Sequence, residues 1–407
     1  MNVPYSSLED AVLTVNAGSS SIKFAVFEAR LPLAQVLWGS IDNVGAVDSC
    51  FRVDGGGQSF VRQFAIPDHV TAVRVLTDWL QERIAPSQLK AVGHRIVFEG
   101  TQNGATCEVT PKILEAMFFA RSYDSEHLPQ ERLLIETLKR SFPDAAQVAC
   151  FDSHFHDEMP TVASMTTLPR RFHTAGIRRS GFHGISCAYI MRELAGLADS
   201  DAARGKLVIA HLGGGCSVTA VSAGRSIDTS MGVTPAGGML MATRSGDVDP
   251  GLAWRLFREH DISVSQFNHI TNHESGLKGI SGTTGDLQQL MAISATDHAA
   301  AEAVAMFCYQ AKKQIGAMAC ALEGLDTLVF AGGIGENSSM ARQGICEGLA
   351  FLGVEIDSEL NLKNAPVIST TASQVIVRIV ATNEQIIIAE ETMRFLGKRE
   401  RSPQGVT

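Results

Sequence analysis

Asn16, three consecutive serines (Ser19, Ser20 and Ser21) and Lys23 crowd into "NAGSSSIK", a break of small polar residues between two apolar runs. A plain turn needs little more than Gly or Asn. A cationic point charge, hydroxyls and a carboxamide together suit phosphate oxygens and a hydrated metal ion. Two further breaks have a similar make-up. "HLGGGCS" (211–217) and "AGGIGENSS" (331–339) each follow an apolar run. Their glycines let backbone N–H groups point together into a concavity that takes anionic oxygens. Three such turns, with a cluster of arginines, predict a nucleotide phosphate cradle. Other named cradles and nucleophile turns are missing: there is no G-x-x-x-x-G-K-[ST], no G-x-S-x-G and no G-x-G-x-x-G.

Two other stretches carry chemistry-bearing residue types. In "FDSHFHDEMP" (151–160), an extended chain would set Asp152, His154 and His156 on one face, a possible metal triad. The plainer readings are a strand end with a polar face, or Asp152 alone acting at the carboxyl end of strand 146–151, where open α/β folds place ligands. The segment "DTSMGVTPAGGMLMATRSGDVDPG" (228–251) is glycine-rich and without period, hence a loop of a length that usually serves function. Its one arginine, Arg244, offers a bidentate fork to a phosphate or carboxylate. The simpler alternative is an ion pair with Asp247.

The elements that must hold these residues alternate, β-branched strands with amphipathic helices, which predicts an α/β architecture. Strands are expected at Val12–Val15, Ile22–Phe27, Val92–Val97, Ala146–Phe151, Leu207–His211, Ser217–Val221, Thr327–Phe330 and Val375–Val380. Helices are expected at Asp68–Ile84, Pro111–Arg121, Gln130–Ser141, Gly251–Glu259, Asp297–Leu325 and Asn383–Leu396, the last with Thr382 as N-cap and Glu384 in its first turn. The stretches 13–27 and 207–224 share one plan of strand, small-residue turn and returning strand. That echo suggests two domains of similar topology meeting near residues 150–160.

The 407 residues are 45% hydrophobic and 19% charged, with a formal net charge of −9. This excludes a broad nucleic-acid or anionic-membrane surface while leaving room for local cationic sites. Eight scattered cysteines without C-x-x-C spacing predict reduced thiols. With neither a secretory signal pattern nor an apolar run near ~20 residues, a cytoplasmic protein is expected.

Taken in order, "NAGSSSIKF", "GHRIVFEG", "FDSHFH", "RRSGFHGIS", "HLGGGCS", "DTSMGVTP", "TRSGDVDPG", "GISG", "GIGENS" and "ATNEQ" resemble the acetate kinase family of short-chain acyl kinases over nearly the whole chain. The resemblance implies duplicated ribonuclease-H-like domains of the actin, sugar-kinase and heat-shock-ATPase superfamily, with the active site in the interdomain cleft. It puts one domain at 1–155 plus 387–407 and the other at 156–386. It also implies ATP and ADP as co-substrates, Mg²⁺ (or Mn²⁺), a small carboxylate substrate and a homodimer.

By the same resemblance Asp152, His183 and Arg244 are catalytic, and Asn16 and Glu384 lie beside the metal. Arg95 meets the substrate carboxylate, and Val97, Phe182 and Pro235 wall the acyl pocket. Lys23, His211, Leu212, Gly213, Gly214, Gly215, Asp286, Leu287, Gln288, Gly333, Ile334, Gly335, Glu336 and Asn337 surround the nucleotide. His127 matches a further active-site histidine within a divergent "DSEHLPQ". The chain departs from the family pattern at Phe98, Glu99, Glu126, Ser180, Gly214, Gly237 and Gln288, positions that bear on acyl and nucleotide preference.

The function expected is phosphoryl transfer from ATP to acetate. Alternatives are a kinase for propionate or butyrate, a nucleotide-binding protein with a decayed site, and a metal hydrolase built on Asp152, His154 and His156.

Overall fold

The run "AVLTVNA" is buried at every residue and forms β1 (Ala11–Ala17), in the middle of an eight-stranded sheet. A strand covered on both faces needs no polar alternation, which is why it reads as a continuous apolar run. The computed structural model describes residues 10–18, 20–97, 106–120, 127–197 and 200–401. Packing divides the chain into two units. One runs to His154 and takes up again at Asn383; the other is Phe155–Thr382.

In the first unit, β1 is followed by β2 (Ile22–Glu28), β3 (Gln35–Asp42), β4 (Cys50–Gly55), β5 (Gln58–Gln63), β6 (Leu89–Ile96), β7 (Cys107–Glu108) and β8 (Ala146–Phe151). Their order in the sheet is β5-β4-β3-β2-β1-β6-β8-β7. The β1–β2–β3 pairs are antiparallel, whereas β1–β6 and β6–β8 are parallel. Leu76, Trp79, Leu80, Leu134 and Leu138, from the helices His69–Gln81 and Leu128–Ser141, bury against one face. The helix Glu384–Arg401 packs on β1, β2, β6 and β8, with Ala389 set against Ala25 and Phe27.

That helix comes so close that β6 has a glycine beneath it. A Cβ on Gly93 would sit 2.8 Å from Ile388 Cγ2 and closer still to Thr392 Oγ1.

The second unit has β9 (Lys206–Leu212), β10 (Cys216–Ser222), β11 (Arg225–Thr229), β12 (Thr327–Ala331) and β13 (Ile376–Ile379) in the order β11-β10-β9-β12-β13. Here too the first three strands are antiparallel neighbours and the next two parallel. The series β3-β2-β1-β6-β8 and β11-β10-β9-β12-β13 therefore share one topology. The chain is a duplicated α/β protein. Cys187, Ile190 and Leu194 of the helix Gly184–Ala195 pack with Leu207, Ile209, Val221 and Val329. The long helix His298–Ala321 packs on β9, β10 and β11.

Several expectations need correction. Strand β8 ends at Phe151, and residues 154–156 form a 3₁₀ turn, so Asp152, His154 and His156 do not share a strand face. Thr382 does not direct its hydroxyl to the helix after it: both its N–H and its O–H donate to Glu336, and the helix starts at Glu384. The helix Gly184–Ala195 and strands β3–β5 and β11 were not among the expected elements. β3–β5 lie toward the edge of the sheet, where polar and exposed residues dilute the apolar signal.

Candidate active site

In the first unit, parallel pairing sets the carboxyl ends of β1, β6 and β8 side by side. Val15 pairs with His94, Arg95 with Cys150, and Ile96 with Phe151. Asn16, Arg95 and Asp152 thus come together at one edge of the strands, and the helix start at Glu384 is carried to them. The Asn16 amide nitrogen donates to Glu384 Oε2 at 2.6 Å, and its Oδ1 accepts from Arg95 Nη1 at 3.2 Å. Arg95 Nη2 donates to Asp152 Oδ2 at 2.8 Å, the carboxylate being wholly shielded from solvent.

Burial works against the charge on Arg95, but Asp152, Glu384 and Glu131 outweigh it and hold the guanidinium protonated beyond the ordinary arginine range. Glu131 is buried and accepts from the Val97 N–H, fixing the backbone two residues past Arg95. Val97 is buried, as is His127 at the start of the helix Leu128–Ser141. Lys23 is exposed on β2, opposite Asn16 in the register. Phe98, Glu99, Glu126 and Ser19 lie outside the described residues.

In the second unit, "HLGGG" turns from β9 to β10, closed by the Gly213 N–H on the Gly215 carbonyl at 3.0 Å. His183 precedes the helix Gly184–Ala195 with a left-handed backbone, φ 59°. Its Nδ1 lies 2.9 Å from Ser217 Oγ, and its ring stacks on His211 with centroids 4.4 Å apart. Arg244 Nη1 donates to the Pro235 carbonyl at 3.2 Å, while Asp247 accepts from the Gly238 N–H. A Cβ on Gly215 would lie 3.3 Å from His183 Nε2 and 3.6 Å from Arg244 Nη1. An imidazole and a guanidinium therefore converge on the glycine turn. Cys216 beside it is no nucleophile, for burial pushes its thiol up to about 12.

A cavity of about 560 Å³ opens next to this turn. It is lined by Gly213, Gly214, Asp286, Leu287, Gln288, Gly333, Ile334 and Asn337, by Ser338 and Ser339 at the end of the third turn, and by Met291, Ala292 and Met340, which the sequence had not singled out. Gly332 lets the third glycine turn approach the first: with φ 73°, a Cβ there would meet the Leu212 carbonyl at 2.7 Å. Asp286 caps the helix Leu287–Ile293 by accepting from the Gln288 and Gln289 N–H groups. Glu336 points to Thr382, as noted.

The Gly335 and Glu336 carbonyls accept from Arg342, a fully buried arginine that also donates to Asn361 and Asn364. Arg342 and Glu131 carry no local motif; their long-range partners reveal them. Among the described residues no group of three or more His, Cys, Asp and Glu side chains could hold a metal ion.

A sequence profile of the acetokinase family matches residues 11–390. The chain belongs to the acetokinase family. It is 37% identical to an acetate kinase of Methylocella silvestris, over 95% of this chain and 98% of that one. It is 39% identical to one of Deinococcus deserti, over 94% and 97%. A propionate kinase structure from Francisella tularensis superposes with a TM-score of 0.86 at 32% identity, over 95% of this chain and 99% of that one. A Porphyromonas gingivalis acetate kinase structure gives 0.81 at 32%, over 95% and 100%. Membership makes this acetokinase-family chain a phosphotransferase of the acetate kinase type, with a carboxyl group as acceptor and ATP and ADP as co-substrates.

Proposed function

We propose that this enzyme transfers the γ-phosphoryl group of ATP to acetate, reversibly and with Mg²⁺, giving acetyl phosphate and ADP. The observation that carries the reading is Arg95: a cation only 12% exposed, held between Asn16 and Asp152 in a chain of net negative charge. A carboxylate, with a pKa near ~4, is already ionised at neutral pH and needs no base to attack phosphorus. What opposes reaction is the repulsion of two anions, and fixed cations answer that while keeping the oxygens in line. Asp152 then orients Arg95 and has no proton to remove. His183 and Arg244 donate to the oxygens of the phosphoryl group in flight, and the glycine turns around the 560 Å³ cavity receive the nucleotide.

The oxygen donors Glu384 and Asn16 fit Mg²⁺, which takes one or two protein ligands and keeps phosphate and water oxygens for the rest. Bound there with ATP, the ion would neutralise phosphate charge. The eight free cysteines support a reducing, cytoplasmic compartment. No helix among the described residues is long and apolar enough to cross a membrane. The helix Pro250–Glu259 has no buried residue and exposes Leu252 and Trp254, with Val264 bare just beyond. That unpartnered apolar face supports a homodimer.

The likeness to a propionate kinase supports a second reading, in which propionate is the better acceptor. ATP-dependent hydroxamate formation with acetate, propionate and butyrate separates the two. Acetate should be best, propionate weaker and butyrate poor; a clear preference for propionate or butyrate overturns the acetate assignment.

A further inference from the structure

We propose that His156 is a positioning residue for this reaction, acting through the Phe182 carbonyl to set the backbone that aims His183. The inference rests on the role given to His183 above. His156 is 3% exposed and makes two ring contacts, Nε2 to the Phe182 carbonyl at 3.1 Å and Nδ1 to Ser226 Oγ at 2.8 Å. A carbonyl only accepts, so Nε2 carries the proton; in the neutral ring Nδ1 then accepts from the Ser226 hydroxyl. Ser226 is itself buried on β11, which anchors the ring to the sheet.

The residue after that carbonyl is His183, the one with the left-handed backbone. Non-glycine residues hold such a conformation only where their surroundings over-determine it. Here the surroundings are visible. The Ser180 and Gly181 N–H groups both donate to the Gly232 carbonyl, and Arg179 is tied to Asp228 at 3.1 Å and to the Thr229 carbonyl. The His156 ring lies against Gly181, where a Cβ would meet its Cδ2 at 2.7 Å. Ser217 fixes the His183 ring from the other end. His156 supplies a hold on the last peptide before His183, through the Phe182 carbonyl.

The test compares full-length His156→Leu, His156→Asn and His156→Gln for kcat, for KM toward ATP and acetate, and for urea midpoint, with His183→Ala as reference. Leu fills the space without a donor. Asn reaches only the Nδ1 position, and Gln reaches the Nε2 position. Leu and Asn should lower kcat by on the order of 10²-fold, the cost of about 1 Å of misplacement, with both KM values within about threefold. Gln should restore kcat to within about tenfold. Should Leu fail to fold, the Asn and Gln pair carries the comparison. Equal kcat in Asn and Gln, or losses that follow urea midpoint alone, would overturn the inference. Full activity in His183→Ala would instead remove the role of His183 itself.

Discussion

Arg95 and Arg244 are held differently, and their loss should read out differently. Arg95 is fixed by Asn16 and Asp152 before any substrate arrives, so Arg95→Ala should chiefly raise the KM for the carboxylate. Arg244 reaches the glycine turn beside His183, so Arg244→Ala should lower kcat by roughly 10²-fold or more. Unchanged turnover in folded Arg244→Ala would contradict its place in the reaction.

The neighbouring His94 gives a pH test. Burial lowers its pKa from 6.5 to about 4, against a bond to Gln147 Oε1 at 2.8 Å that favours the proton. The unfolded chain therefore takes up this proton near pH 6.5 and the folded chain only near pH 4. The sign follows: stability is complete above pH 6.5 and falls as pH drops toward 4, by about 3 kcal/mol. His94→Gln should flatten that part of the urea-midpoint profile; an unchanged slope would place the proton uptake elsewhere.

Between strands and helices, the decisive contact is the helix Glu384–Arg401 lying on β6. It carries Glu384 to Asn16 only because Gly93 leaves room for Ile388 and Thr392. Gly93→Ala forces the helix outward and should cost about 1–3 kcal/mol in urea unfolding, the usual range for overpacking. Activity should fall with it, since Glu384 sits on the first turn of the displaced helix. Adding Thr392→Ala, which removes the nearest atom, should recover part of the loss. A fully stable, fully active Gly93→Ala would show that the helix start does not depend on this contact.

Among the described residues, the helix Pro250–Glu259 has an exposed apolar face. Trp254 is 64% exposed and Leu252 47%. In sedimentation, the enzyme should run at twice its chain mass, and Trp254→Glu should shift it toward the monomer by placing a charge in the contact. A monomeric wild type would leave that face to some other role. Under the proposed function, the overall acidity of the chain is compatible with anion binding, because the charges of Arg95 and Arg244 would act at short range in sheltered surroundings.

The strands and turns that carry the site were readable from residue order alone. Apolar runs broken by glycine and serine mark β1–β2 and β9–β10, and the small residues are demanded locally by the backbone. The likeness of residues 13–27 to 207–224 was the visible trace of a topology that both sheets repeat. What no local pattern could state is which side chain meets which. His183 finds Ser217 34 residues on, His156 finds Ser226 70 residues on, and Asn16 finds Glu384 across 368. The strand expected at Ala146–Phe151 is present, and the metal-triad alternative for Asp152, His154 and His156 drops out because it needed an extended chain where residues 154–156 form a 3₁₀ turn. Composition and spacing therefore determined the chemistry available to this chain. Strand order and helix return decided which groups share a hydrogen bond, because contacts between residues so far apart exist only once the sheets have closed.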